Sequence, residues 1–218
     1  MSRKFLLLLL LIPLHVSAHL YKVEYSGTII TAHHNAFGYA VGDKVSGTLT
    51  IDFSKAVDKD PSENTAWFHS PTSDNFISGF HPDGENSEDV LIINDNGSFN
   101  SELVDALHIG DWLNQGDRFS RFMFDLIVIL DPSTFSSDAP EDFSFSTESL
   151  RTNGTWGNIQ RTWHTQPLGS TPTQLFSEQA IFSIDYIKSS KVPEPSPLTL
   201  IFLGSISVLL IRLLKLRK

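Results

Sequence analysis

The sequence of 218 residues contains no cysteine. The protein therefore cannot form a disulfide, use a thiol nucleophile or bind metal through thiolates, and its folded part must be stabilised by packing alone. The chain also lacks the motifs of serine hydrolases, zinc proteases, phosphate-binding loops and dinucleotide-binding domains. Because no catalytic motif is recognisable, we expect a protein that is not an enzyme and that needs no cofactor.

Basic residues are scarce between the two ends of the chain. The sequence has 16 Lys and Arg against 25 Asp and Glu, but six of the basic residues and one acidic residue lie in segments 1–18 and 192–218. Residues 19–191 therefore carry ten basic and 24 acidic side chains, a net charge of −14. Such an acidic body is repelled by phosphate backbones, so we expect no nucleic-acid partner.

The first 18 residues are typical of a secretory signal peptide. Arg3 and Lys4 form a short positive segment, residues 5–14 are apolar and rich in leucine, and Ala18 ends a small-residue cleavage site. The apolar segment is too short for a stable membrane span. This order predicts cleavage after Ala18, which makes His19 the first residue of an exported protein.

Residues 192–218 combine three features in a fixed order. Pro193, Glu194 and Pro195 come first, and because the prolines fix φ and disfavour helix before them, this element should be extended. An apolar segment follows, in which we expect a transmembrane helix at about residues 198–214. The basic end predicts a cytoplasmic C-terminus; its residues are Arg212, Lys215, Arg217 and Lys218.

An ordinary single-pass anchor is the alternative interpretation of this end, and it leaves the protein permanently in the envelope. A glycolipid-anchor signal fits less well, because such signals end in apolar residues whereas this chain ends in cations.

The C-terminal order resembles the PEP-CTERM sorting signal of Gram-negative bacterial surface proteins. In that family the motif, the helix and the basic end are read together by exosortase, a membrane-embedded enzyme that cuts near the motif and sends the protein outward. The resemblance implies that Pro193, Glu194 and Pro195 are the recognition residues. It also implies exosortase as a partner, transient residence in the inner membrane, and delivery to the cell surface or to an exopolysaccharide matrix.

Between the two signals, apolar and polar residues alternate with a period of two. In segment 44–53 the apolar side chains recur at every second position, and the same pattern appears in segments 21–25 and 180–186. No segment between the signals shows a sustained helical stripe. We therefore predict one all-β domain at residues 19–191, an antiparallel β-sandwich, with a jelly roll as one form that it can take.

Several local patterns refine this prediction. Asn96-Gly97 after a short apolar run suits a type I′ hairpin turn. Residues 119–130 form the longest strand candidate, and their apolar second half predicts a central strand buried on both faces. Residues 189–191 should form a tether between the last strand and the sorting signal.

Three tryptophans and one acidic segment are the candidates for ligand binding. Trp112, Trp156 and Trp163 could stack on sugar rings if their faces are exposed, and Trp156 lies in a glycine-flanked segment that predicts a loop. A buried aromatic core position is the alternative for each. The pair His33-His34 could bind metal only from a loop, because adjacent strand residues point to opposite faces.

The acidic segment offers the hard oxygen ligands that calcium prefers, but it lacks the spacing of an EF-hand. A charged exposed loop is therefore the expectation and calcium binding the alternative. Its residues are Asp83, Glu85, Glu88 and Asp89.

These patterns together predict an exported, non-catalytic surface or matrix protein. A secreted carbohydrate-binding or carbohydrate-active protein is the alternative, and a glycoside hydrolase would need two carboxylates at a set separation in space. With 24 acidic residues in segment 19–191, the sequence alone selects no such pair.

Overall fold

A computed structural model of the protein describes most of the segment between residues 19 and 193. The described residues are 19–34, 36–59, 65–70, 77–78, 85–99, 102–115, 120–135, 137, 143–151, 153–164 and 175–193. All of them except Pro193 belong to one compact unit, His19–Val192. Four of the predicted features lie outside the described residues. They are the signal peptide with Ala18, the motif residues Glu194 and Pro195, the helix at 198–214 and the basic end at 212–218. Within the described ranges, no helix has the length and hydropathy of a membrane span.

The described residues form strands joined by turns, and they contain no α-helix. The strands are β1 Leu20–His33, β2 Lys44–Asp52, β3 Val57–Asp58, β4 Thr65–His69, β5 Ile77–Ser78, β6 Glu85–Phe99, β7 Glu102–Gln115, β8 Ser120–Leu130, β9 Phe145–Ser146, β10 Trp156–His164 and β11 Leu175–Lys191. Single 3-10 turns occur at Ala36–Gly38, Phe53–Lys55 and Thr147–Ser149. Every strand pair is antiparallel. The predicted all-β, antiparallel class is confirmed.

All eleven strands belong to one hydrogen-bonded sheet. Their order is β3-β4-β6-β7-β8-β10-β11-β1-β2-β5, and β9 pairs with β11 beside this path. β8 lies near the middle of the order, as predicted, and Leu126, Val128, Ile129 and Leu130 are buried. Ile127 on the outer face is only partly buried, so the predicted burial on both faces is confirmed only in part. The two outermost strands, β3 and β5, have two residues each, which keeps the sheet edges short.

The sheet curls until its two ends meet. The ring of Phe53, which directly follows β2 near one end, lies 4.8 Å from the ring of Phe68 on β4 near the other end. A carboxylate oxygen of Glu88 on β6 accepts a hydrogen bond of 2.8 Å from the backbone N–H of Ile77 on β5. Because β5 and β6 are far apart in the strand order, these contacts require a strongly curved sheet around one core.

The core consists of the inward side chains of alternating strand positions. Tyr21, Val23 and Tyr25 of β1 point inward, while the residues between them are partly exposed. Six aromatic rings of the described residues, in edge-on or stacked contact at centroid distances of 4.8–6.5 Å, fill one end of the core without any disulfide. They belong to Tyr21, Phe53, Phe68, Phe135, Phe143 and Phe145.

The two ends of the compact unit lie side by side. Tyr21 pairs with Lys191, and the backbone N–H of Val192 donates to the carbonyl of Leu20 at 2.9 Å. The prediction that residues 189–191 form a tether is wrong, because they belong to β11. Ser189 is buried there, and its hydroxyl donates to the carbonyl of Phe143 at 2.6 Å.

The hairpin turn predicted at Asn96-Gly97 is also wrong. β6 continues through this dipeptide to Phe99, and its pairing with β7 shifts register between Ile93 and Gly97. A register shift of this kind accommodates a glycine inside a strand, so pairing with β7 overrides the local turn preference.

Close packing around Phe182 provides a test of this fold. Gly157 of β10 lies opposite Phe182 of β11, and a Cβ atom at position 157 would overlap the Phe182 ring. We expect Gly157→Ala to lower the free energy of unfolding by about 1–3 kcal/mol, because the ring has no space to move in a packed core. Urea unfolding followed by fluorescence measures this.

In the double variant Gly157→Ala/Phe182→Leu the smaller leucine side chain should recover part of the lost free energy of unfolding. The control Ser46→Ala, on the exposed side of β2, should change the free energy of unfolding little. If Gly157→Ala has the same midpoint urea concentration of unfolding as the wild type, this packing is contradicted.

Candidate functional site

A groove of about 440 Å³ lies on the outer face of the sheet, where β10, β11 and β1 run side by side. We call it the Trp156 groove; its walls are formed by Ile30, Asn153, Gly154, Thr155, Trp156, Ile181 and Ser183. Trp156 is the first residue of β10 and is partly exposed, so the loop predicted for it ends one residue earlier.

The turn before Trp156 is fixed to the sheet. Gly154 has a φ of +85°, a left-handed conformation that favours glycine. The hydroxyl of Thr155 donates to the carbonyl of Arg151 at 2.6 Å and accepts from the backbone N–H of Ile129 at 2.9 Å. These bonds anchor the turn to β8 and hold Trp156 at the edge of the groove.

Two irregularities in the pairing of β1 with β11 shape the rest of the groove. The register passes from Ile29 to Thr31 and omits Ile30, which is 53 % exposed and forms an apolar wall. On β11 the register omits Asp185, which is exposed beside Ser183. Bulges of this kind redirect side chains and occur frequently beside functional sites.

Four polar side chains form a hydrogen-bonded group at one end of the groove; they belong to Ser183, Thr28, Lys44 and Asp185. The first three are consecutive cross-strand partners in the same row as Trp156. Asp185 accepts hydrogen bonds from Ser183 at 2.9 Å and from Thr28 at 2.7 Å, and Lys44 lies 3.1 Å from Asp185. The hydrogen bond from Thr28 lowers the pKa of Asp185, so this carboxylate is ionised at neutral pH.

The groove therefore combines an aromatic ring and apolar walls with the hydroxyl group of Ser183, and the pair of opposite charges at Asp185 and Lys44 lies beside it. Ligand sites of this kind are largely apolar, with a few polar groups that fix orientation. A sugar ring has one apolar face for the tryptophan and hydroxyl groups for the polar end. The arrangement suits binding, and the polar group is open to solvent.

The same row of residues continues over the outer face in the other direction. From Trp156 it passes through Ile127, His108 and Leu91 to Trp67 on β4. Trp67 is 43 % exposed. Outer faces of antiparallel sheets are usually polar, so this apolar row is a second distinctive feature of the surface.

A polar row runs beside the apolar row on the same face. Its members in strand order are His69, Asp89, Gly110, Asp125 and Asn158. His69 Nδ1 lies 2.7 Å from Asp89, His108 Nε2 lies 3.2 Å from Asp125, and Asn158 donates to Asp125 at 3.3 Å. Hydrogen bonding satisfies both carboxylates although each is largely buried.

The predicted exposed acidic loop is instead part of β6. Glu88 and Asp89 are buried and, as strand neighbours, point to opposite faces, so they cannot share one ion. The side chain of Glu85 and all of Asp83 lie outside the described part of the chain. Among the described residues, no three His, Asp or Glu side chains come together as a metal site requires.

Glu88 forms a carboxylate pair in the core with Asp111. The two residues are direct cross-strand partners on β6 and β7, and each is 1 % exposed. Burial raises the pKa of Asp111 to about 7, and the charges of Glu88 and Asp125 add to this effect. No sequence pattern marks this pair, because its members are brought together only by the register of β6 and β7.

The remaining predicted positions do not meet at one site. Trp112 lies on β7 and Trp163 on β10, and their side chains lie outside the described part of the structure. His33 ends β1 and His34 occupies the following turn, where both are exposed. The sequence singled out Trp156 but missed Trp67, Ile30, Thr28, Lys44 and Asp185.

In comparisons with known proteins, the chain matches no protein-family model, no curated protein and no solved structure.

The carboxylate pair predicts a stability that falls as the pH rises. An unfolded aspartate has a pKa near 4, so raising the pKa of Asp111 to about 7 makes the folded state bind this proton more tightly. The contribution is complete below about pH 4 and is lost as the pH rises through 7. We expect the free energy of unfolding to fall by about 3 kcal/mol between pH 5 and pH 8.

Urea unfolding at several pH values measures this effect. Asp111→Asn cannot ionise and should remove most of the decrease, whereas Glu148→Gln, an exposed acid, should leave it unchanged. A wild-type stability that rises from pH 5 to pH 8 contradicts the raised pKa of Asp111.

Proposed function

We propose that the protein is an exported, non-catalytic surface or matrix protein that is sorted through an exosortase-type pathway. The observation that carries this proposal is the order of Pro193, Glu194 and Pro195, an apolar segment and a basic end, together with an N-terminal segment typical of a signal peptide. In this proposal the precursor is held by the inner membrane, and the mature protein reaches the cell surface or matrix. The two halves of the curled sheet act as the layers of a sandwich-like body.

The ends of the folded unit support this proposal. Leu20 and Val192 are joined by a backbone hydrogen bond, so the chain enters and leaves the sheet at the same place. Pro193 is exposed two residues after the end of β11 and has no N–H to continue the ladder. A domain built in this way keeps its strands when the chain is cut next to the motif.

The buried carboxylates favour a non-catalytic protein over a hydrolase. Glu88 and Asp111 are adjacent, and the pKa of Asp111 is raised, as in a catalytic pair. Each is only 1 % exposed and lies on the core-facing side of the sheet, where a polysaccharide cannot reach. A structural role in closing the sheet explains the pair better.

Replacing residues 193–195 with alanine tests the sorting proposal. We expect export to continue, because the leader is intact, and the protein to accumulate in the inner membrane, because the processing enzyme no longer recognises it. Cell fractionation with mass spectrometry of the C-terminus measures both effects. The wild-type surface form should end near residue 192.

Pro197→Ala, a proline change outside the motif, serves as the control and should behave like the wild type. Unchanged surface delivery of the triple variant argues against the motif. A surface form that retains Lys218 supports the permanent single-pass anchor instead.

Carbohydrate binding is the second candidate function, and the Trp156 groove is the observation that favours it. The groove offers a ring for stacking, and beside its wall residue Ser183 the side chains of Asp185 and Lys44 provide an acceptor and a donor for sugar hydroxyl groups. Binding of this kind suits a protein that resides in an exopolysaccharide matrix.

A glycan array probed with the full-length protein tests this second function. We expect binding to neutral glycans, and a several-fold weaker signal for Asp185→Ala, because the ligand loses a charged acceptor. Glu148→Ala is the matched control on an exposed acid away from the groove. An equal signal for Asp185→Ala and the wild type argues against the groove as the site.

A further inference from the structure

We propose that the contact between β5 and Glu88 is a latch that holds the two ends of the curled sheet together and opens locally as the pH rises, while the other strands stay paired. The latch consists of Ile77 on β5 and Glu88 on β6, and Asp111 on β7 controls it. This inference adds a place of first opening to the pH-dependent stability, and it is independent of the proposed sorting and binding functions.

β5 is the weakly held strand at this closure. On one side, Ile77 and Ser78 pair with β2, and on the other side the backbone N–H of Ile77 donates to Glu88 Oε2 at 2.8 Å. Two residue pairs join β5 to β2, whereas twelve join β6 to β7. Loss of the bond to Glu88 therefore releases β5 before it disturbs β6.

A second carboxylate lies directly beside the latch. Asp111 is the cross-strand partner of Glu88, and it points into the core together with its other partner, Phe124. Both acids are 1 % exposed. Like charges at directly opposite positions repel each other, and burial strengthens the repulsion because water no longer screens it. The latch is therefore stable only while the pair retains a proton.

The sign of the pH effect follows from the protonation of Asp111. Burial raises its pKa to about 7, and the charges of Glu88 and Asp125 add to this effect. The closed latch binds the proton more tightly than an open latch in which water reaches the pair, so opening becomes easier as the pH rises. If opening restores the ordinary aspartate pKa near 4, the open fraction increases up to about a hundredfold between pH 5 and pH 8.

The pairing of the strands decides which side of the pair opens. Asp111 lies on β7, which is paired along both edges with β6 and β8. Water can therefore reach the ionised pair at a lower cost by displacing β5 than by separating β7 from its neighbours. Because Ile77 is 1 % exposed, this displacement also uncovers part of the core.

Titratable groups on the surrounding strands do not replace this control. Asp125 on β8 and Asp89 on β6 point to the outer face, where they contact His108 and His69. From β1, Tyr25 packs against Phe124, and burial raises the pKa of Tyr25, so its hydroxyl stays neutral up to pH 8. Asp111→Asn leaves all these groups in place and therefore isolates the effect of Asp111.

Thiol labelling of the full-length protein in detergent micelles tests the latch, because the natural chain has no cysteine. Ile77→Cys places a single thiol on β5. Its rate of reaction with methyl methanethiosulfonate is measured from pH 5 to pH 8 and divided by the rate of the urea-unfolded variant, which cancels the reactivity of the thiol itself. We expect this ratio to rise ten- to hundredfold. Urea below the unfolding transition should change it little, because a local opening exposes little surface.

Val128→Cys is the matched control in the central strand β8, where the native residue is fully buried. It should react more slowly at every pH and respond strongly to urea, because this strand opens only when the whole sheet unfolds. Adding Asp111→Asn to Ile77→Cys should keep the ratio low at pH 8, whereas adding Glu148→Gln should have no effect.

Amide hydrogen exchange of Ile77 in the wild type repeats the measurement without a substitution in β5. Equal rates and equal urea dependence at positions 77 and 128 overturn the latch, because the sheet then opens only as a whole. A ratio that is independent of pH, or a rise that survives in Asp111→Asn, overturns the control by Asp111.

Discussion

The structure depends on the contact between the two ends of one curled sheet. A cysteine-free chain has no covalent link with which to close eleven strands, so side chains near the sheet ends must do so. The rings of Phe53 and Phe68 meet there, and Glu88 accepts a hydrogen bond from the backbone of β5. Because a flat sheet leaves half of its apolar surface in water, this closure creates the core on which every strand relies.

Closure explains why the acidic side chains of Glu88 and Asp111 lie inside a mostly apolar core. Glu88 bridges the sheet ends, and its cross-strand neighbour Asp111 is buried with it. The cost of burying two like charges is reduced when the pair retains a proton, which is the physical meaning of the raised pKa of Asp111. The polar contact that joins the sheet ends is thus also a point of pH sensitivity.

Curling also separates two surfaces with different tasks. The inner face is filled by aromatic and aliphatic side chains, and the outer face carries the apolar row beside the polar row. Bulges at Ile30 and Asp185 turn an ordinary stretch of β1 and β11 into the walls of the Trp156 groove. The proposed binding function therefore uses the exterior of the same strands whose interior provides stability.

Prediction from the sequence succeeded where the pattern was long and local. The alternation in segment 44–53 became β2, and the apolar run of segment 119–130 became the central strand β8. It failed at Asn96-Gly97 and at Glu88-Asp89, where turn and charge preferences were overridden by pairing with β7 and by burial. Trp156 was recognised as a candidate, but Ile30, Ile181 and Ser183, which line the groove with it, were not, since they come from strands distant in the sequence.

Composition and periodicity by themselves determined the absence of disulfides, the acidic charge and the antiparallel β class, because these depend on residue type and on a repeat of two positions. Only the tertiary structure decided which side chains share a row, where the ladder skips a residue and which carboxylates are buried together. The reason is register: aligning Trp67 with Trp156 requires four strand pairings, each fixed by packing over the whole sheet and not by neighbouring residues.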